Sequence, residues 1–247
     1  MKKSIIFVSV AIIVTMFSCK PKDTQAPVIY LDGGDDVNVV LNQPYTEYGY
    51  TAFDNVDGDV KSKVDVDSDI PTSDNTIYGN SSLIGDYTVT YTVADKEGNT
   101  GKKERKIHVL NQANKYAVPY FVDKTSELNP EISPDYTHKN FEVSEDKKIN
   151  KRIIFGKLAN LVGGIYGDVY YNSTKDTLFI KIETQAKNIN DSTQYEVSGY
   201  DKDCYFTDTL NYTFQIRYQI DKHPVASDGT VLPRTGTDNV KEVYTKQ

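Results

Sequence analysis

Carboxylates crowd the turns of the first hundred residues. Asp54, Asp57 and Asp59 fall within the run Asp54-Asn55-Val56-Asp57-Gly58-Asp59, and Asp95 opens a second turn, Asp95-Lys96-Glu97-Gly98-Asn99. A hard cation such as calcium takes six to eight oxygen ligands, and turn carboxylates can supply them. The spacing is not that of the D-x-[DN]-x-[DN]-G loop with its distal glutamate. Aspartates also cap turns by accepting backbone amides a few residues on, which accounts for the same positions with no ion and no cofactor. Calcium at Asp54, Asp57 and Asp59 therefore stands beside a purely structural reading. Asp65, Asp67 and Asp69 alternate, as on the solvent face of a strand.

Tyrosine is the other residue type with chemistry to offer. There are 19 tyrosines against 9 phenylalanines and no tryptophan. Aromatic faces flanked by hydrogen-bonding groups are the raw material of a carbohydrate-binding surface, although the absence of tryptophan removes the broadest ring. The pool is Tyr166, Tyr170, Tyr171, Tyr195, Tyr200 and Tyr205, with Asp201, Asp203 and Asn211 close by in sequence. Alternation makes Tyr170 and Tyr171 face opposite ways, so one of them is expected in a core. Covalent and acid–base chemistry finds no comparable grouping. His108, His138 and His223 are far apart, and no G-x-S-x-G or H-E-x-x-H occurs. Gly163-Gly164-x-x-Gly167 lacks the Lys-Ser/Thr of a phosphate loop and reads as a bulge or tight bend. The expectation is a protein that binds rather than catalyses.

The first residues carry an address. Lys2 and Lys3 precede an apolar run from Ile5 to Phe17 that ends at Ser18-Cys19. The run is short for a bilayer span and has the profile of an export signal. Met16-Phe17-Ser18-Cys19 resembles a bacterial lipobox, in which a small residue precedes the cysteine that becomes the lipidated first residue. Residues 1–18 then read as a leader, Cys19 as the lipid-bearing residue, and residues 19–25 as a polar tether. The implied location is the cell envelope, lipid-anchored, at the outer membrane. Lipidation leaves Cys204 without an intrachain partner, and beside Tyr205-Phe206 it reads as a small buried hydrophobe.

The elements that must position these residues are strands. Hydrophobic residues at 38% and charged residues at 26% of 247 describe a chain able to bury two cores. The balance of 28 basic to 35 acidic residues argues against nucleic acid as a partner. In residues 26–110, short alternating runs lie between glycine- and aspartate-rich turns. The clearest is Asp86 to Ala94, where Tyr87, Val89, Tyr91 and Val93 alternate with threonines; Arg105, Ile107 and Val109 alternate in the closing strand. That pattern predicts a small Greek-key β-sandwich.

Four segments here, Ala26-Pro27-Val28-Ile29, Ala52 to Val60, Gly85 to Asp95 and Gly98-Asn99, closely resemble the bacterial immunoglobulin-like domain of the DUF5011 type. The resemblance implies a spacer or adhesive module of the kind found in surface lipoproteins of Bacteroidetes.

Residues 115–247 read as a second antiparallel β-rich domain, a meander or small barrel. Tyr116 to Val122, Phe141 to Val143, Lys151 to Phe155, Ile165 to Tyr171, Thr177 to Glu183, Thr193 to Ser198 and Tyr205 to Asp208 are expected strands. Tyr212 to Asp221 is the longest, with Tyr212, Phe214, Ile216, Tyr218 and Ile220 on one face. Asp123 to Asn140 and Lys222 to Thr237 read as loops, and Val240 to Tyr244 as a short final strand. The whole is all-β. Its expected role is a non-catalytic envelope lipoprotein whose second domain contacts glycan or a surface protein; the alternative is a structural or adhesive protein that binds no carbohydrate.

Overall fold

The computed structural model describes residues 22–77, 79–132, 136–158, 161 and 164–247. The leader, Cys19 and the first tether residues lie outside the described residues. Two hydrophobic cores form, one from side chains between Ile29 and Val109, the other from side chains between Ala113 and Tyr244.

The first core lies between two sheets. Its strands are β1 (Val28–Leu31), β2 (Asp36–Val40), β3 (Tyr50–Asp54), β4 (Gly58–Asp59), β5 (Asp65–Ser68), β6 (Gly85–Ala94) and β7 (Thr100–Leu110). One sheet runs β1-β3-β4 and the other β2-β7-β6-β5. The chain changes sheets between β1 and β2 through Gly33 and Gly34, both at positive φ. At Gly33 a Cβ would collide with the Tyr48 ring, so this tight passage demands glycine. β2 then pairs parallel with β7, while every other pairing is antiparallel.

The alternation in β6 buries Val89, Tyr91 and Val93 as expected. The same logic puts Arg105 inside with Ile107, and Arg105 is 0% exposed. Its guanidinium donates to Glu47 Oε1 (2.9 Å), the Tyr45 hydroxyl (3.1 Å) and the Asp32 carbonyl (2.7 Å). Tyr45 and Tyr91 in turn donate to Glu47 Oε2. A buried charge is tolerated only when paired and hydrogen-bonded in this way.

The second core is enclosed by β8 (Pro119–Ser126), β9 (Tyr136–Glu145), β10 (Arg152–Phe155), β11 (Ile165–Asn172), β12 (Thr177–Lys181), β13 (Gln185–Asn190), β14 (Thr193–Gly199), β15 (Tyr205–Asp208), β16 (Thr213–Pro224) and β17 (Gly236–Lys246). The hydrogen-bonded order β16-β15-β12-β11-β10-β9-β8-β17 returns through β17 to β16, closing an eight-stranded antiparallel barrel. The β13–β14 hairpin joins the C-terminal half of β16. Among the described residues, closure leaves the barrel itself no free edge, and the edge of this sheet belongs to β13.

Aromatic rings fill the interior. Tyr244 stacks on Phe214 at 4.5 Å between centroids, and Phe141, Phe155 and Tyr120 stand edge-on or tilted around it at 5.4, 5.5 and 5.8 Å. Glu242 is inside with them and accepts hydroxyls from Tyr218 (2.7 Å) and Tyr136 (3.3 Å) as well as Tyr244.

Several strands depart from the sequence expectation, among them β13 (Gln185–Asn190), which was not expected. Residues 123–126 and 136–140, expected as loop, belong to β8 and β9, and the final strand starts at Gly236 rather than Val240. In β8 and β17 the alternation is masked because charged residues point inward, Lys124, Asp238 and Glu242 all being buried; in β9 it is broken by a register shift beside Asn140. Gly163 lies outside the described residues. Gly164 takes φ 67, the expected tight bend, whereas Gly167 sits in regular pairing opposite Ile153, where a Cβ would strike Ile180.

Candidate functional site

β10, β11, β12 and β15 lie side by side, so their outward side chains form one surface. Cross-strand register pairs Tyr170 with Phe179 and Phe179 with Tyr205. Val169 and Ile180, their neighbours in sequence, point into the core, so these three rings point out. They form a ladder with centroids 5.8 and 5.9 Å apart. Phe179 is only 7% exposed because the tyrosines cover it, while Tyr170 is 37% exposed.

Polar groups flank the ladder. Two and four residues back along β11 on the same face are Asp168 and Tyr166. Arg152 on β10 holds Asp168 through two hydrogen bonds of 2.6 and 2.9 Å and lays its guanidinium 3.9 Å from the centre of the Tyr166 ring. Asp168 reinforces the Arg152 charge, raising its pKa. On β12, Lys181 pairs with Glu183 at 2.8 Å. Burial and then the nearby Asp201 carboxylate hold the Tyr170 phenol above its usual range, keeping it a neutral donor. Beyond Tyr170 the surface dips into a recess of about 170 Å³, lined among others by Gln112, Lys115, Lys151, Tyr171 and Leu178.

Of the six candidate tyrosines, Tyr166, Tyr170 and Tyr205 thus share one surface. Tyr171 points the other way, its hydroxyl donating to Asp176 in the adjoining turn. Tyr195 packs against the core. Tyr200 lies farther round the barrel, bonded to Asn239 (2.9 Å) and 5.8 Å from Arg217. Phe179, Arg152 and Lys181 were not singled out from sequence. The register across the Asn172–Asp176 turn, which sets Tyr170 against Phe179, was the signal available.

The acidic turns resolve differently. Asp54 Oδ1 accepts the amides of Val56 and Asp57, Asp59 caps Lys61, and Asp57 is paired with Lys63 (3.3 Å) and Lys96 (2.8 Å). Among the described residues, the carboxylates that converge are Asp23, Asp95 and Glu97, with ligand oxygens all within 4.8 Å of one another. Three such oxygens are at most half of a calcium shell. Asp65 and Asp67 are exposed on β5, as read from their alternation.

The remaining reactive types are dispersed. His108 sits between Asp36 (3.0 Å) and Asp86 on the first unit, and His223 Nδ1 lies 3.1 Å from the Leu232 carbonyl oxygen. Cys204 is buried, and that burial pushes its thiol up to about 12. A thiol so raised is a poor nucleophile.

Residues 29–109 match the family described as "Bacterial surface protein, Ig-like domain". The first unit is therefore an immunoglobulin-like domain of the bacterial-surface kind, in agreement with a cell-envelope address. No curated protein matches the chain. Among solved structures, the chain is similar to the lipoprotein BT2262 from Bacteroides thetaiotaomicron, with 12% identity, a TM-score of 0.30, and coverage of 89% of this chain and 100% of that one. A second likeness is to the CBM51-2 and INT domains of ZmpB from Clostridium perfringens, solved in complex with GlcNAc, with 15% identity, a TM-score of 0.28, and coverage of 89% and 44%. At such TM-scores neither likeness assigns anything to this chain.

Proposed function

We propose that this chain is a non-catalytic, lipid-anchored envelope protein in which an immunoglobulin-like unit of the DUF5011 type (residues 26–110) holds a barrel (residues 115–247) away from the anchor. The barrel recognises carbohydrate on its outer face. The observation that carries this reading is the Tyr170–Phe179–Tyr205 ladder, set on the outside of a barrel whose inside is already filled by aromatic rings. Apolar faces of sugar rings stack on aromatic faces, and Arg152, Asp168, Lys181 and Asp201 surround the ladder with donors and acceptors for hydroxyls.

The spacer role is supported by where the ends of β6 and β7 lie. At one end Asn99 donates to the Asp23 carbonyl, so the tether enters there. At the other, Ile84 donates to Lys147 of the barrel and β7 runs into Asn111. The two ends are separated by a strand of ten residues, about 35 Å at ~3.4 Å per residue.

A protein-adhesive role without carbohydrate is the second reading, favoured by the outer face of β1 and β3. Val28, Tyr30 and Phe53 are each half or more exposed there, and Val28 sits directly opposite Phe53. Affinity electrophoresis through gels containing dissolved polysaccharides separates the two readings. Carbohydrate binding retards the soluble protein from Lys22 onward in at least one gel, and this retardation is lost in Tyr170→Ala. Unchanged mobility in every gel would leave the adhesive reading standing.

A further inference from the structure

A second feature of the barrel lies on β9 and β10, away from the aromatic ladder. Tyr120 pairs with Phe141 and Val122 with His138, so Phe121 of β8 faces two residues of β9, Lys139 and Asn140. The extra residue is accommodated at a bulge where Asn140 takes φ 56. Such bulges bend a strand and re-aim its side chains. Beside this one is a cavity of about 260 Å³ lined by His138, Asn140, Phe141, Glu142, Gly156 and Lys157. The His138 ring is held edge-on between Tyr136 (6.4 Å) and Phe141 (5.8 Å). Its Nδ1 is buried and has no hydrogen-bond partner. A buried polar nitrogen left unpaired is destabilising, and native structures satisfy nearly all such groups with protein, water or ligand.

We propose that this cavity is a subsite for a single sugar residue, distinct from the ladder; the choice of sugar rests on the carbohydrate reading above. The size points to one ring, since the volume falls just below the range of drug-sized pockets. The lining points to hydroxyls. Glu142 only accepts, Lys157 only donates, and Asn140 and the imidazole do both. A sugar hydroxyl donates and accepts, so one polyhydroxylated ring serves all four groups. An anion alone would oppose Glu142, and a cation alone would oppose Lys157. The clamped imidazole is pre-organised, so binding orders little.

The test is a titration of the isotopically labelled protein with free glucose, galactose, mannose, N-acetylglucosamine and glucuronate. The His138 ring signals and the amides of Asn140, Glu142, Gly156 and Lys157 are followed by NMR. The expected result is a saturable shift of this group of signals with at least one sugar, retained in Tyr170→Ala. Affinity weakens roughly tenfold in Lys157→Gln, a surface change that spares the fold, and is lost in His138→Phe. No saturable shift with any sugar overturns the proposal, as do shifts that persist unchanged in both cavity variants. Shifts abolished by Tyr170→Ala overturn it too, because they assign all binding to the ladder. Polysaccharide retardation without a His138 response removes the subsite and leaves the ladder; the reverse removes the ladder and leaves the subsite.

Discussion

Arg105 is the residue on which the first unit most depends. Its charge is compensated by Glu47 and by the carbonyls of Asp32 and Gly49, so removing Arg105 or Glu47 leaves the other without its ion-pair partner. Arg105→Ala is expected to lose about 3–5 kcal/mol, measured as a lowered urea midpoint at constant slope. The network also restrains its tyrosines: burial and Glu47 push the Tyr45 hydroxyl up to about 12. Cys204 makes a complementary prediction. With its thiol buried and raised, a disulfide reagent at pH 8 leaves the folded protein unlabelled and titrates Cys204 only after denaturation. His108 supplies a pH dependence. Asp86 and Asp36 raise its folded-state pKa, so its stabilising effect is complete below the unfolded value of about 6.5 and is lost as pH rises through the higher folded value. In His108→Gln this small decline in stability on the alkaline side disappears, as a urea series between pH 5 and 9 would show. A flat difference between the two proteins across that range would contradict it.

At the level of elements, the joint between the two units is built from side-chain amides. Asn111 Nδ2 donates to the carbonyls of Asp146 (2.7 Å) and Ile149 (3.0 Å), while its Oδ1 accepts from Ala113 (2.9 Å) and Lys151 (2.7 Å). Asn42 and the 148–150 turn exchange two more hydrogen bonds, of 2.9 and 2.8 Å. Asn111→Ala leaves several of these backbone groups unpaired, at about 1–3 kcal/mol. Spin labels placed on β7 and β10 are expected to give one narrow distance distribution in the native protein and a broad one in this variant; equally narrow distributions would mean that the joint is held elsewhere.

Strand legibility followed inward polarity. β6 and β16 could be read because every inward position is apolar or tyrosine up to Ile220. β8 and β17 could not, because Lys124, Asp238 and Glu242 occupy inward positions, and β9 could not because the register shift around Asn140 interrupts its alternation. β13 was missed because its two apolar residues, Ala186 and Ile189, fall out of alternation and are both exposed on an edge strand. The same limit governs the site. Tyr170 and Tyr205 are visible as residue types, but their alignment through Phe179 depends on barrel register, which a single strand does not encode.

For the whole molecule, the account joins an address, a spacer and a binding surface. The address predicts that protein extracted from membranes begins at Cys19 and carries acyl mass; a species retaining Met1, or one lacking lipid, would contradict it. In the proposed arrangement the barrel sits at the Ile84 end of β6, where Ile84 donates to the Lys147 carbonyl, and the tether at the Asn99 end. The central claim is that the barrel's outer face binds carbohydrate through Tyr170 and Tyr205, with Phe179 packed beneath them. The most direct test is a glycan array probed in parallel with the wild-type protein and a Tyr170→Ala/Tyr205→Ala double variant shown by circular dichroism to be folded. The account predicts a defined set of glycans bound by the wild type and lost from the folded variant. Identical profiles for the two proteins, or no glycan bound by either, would contradict it.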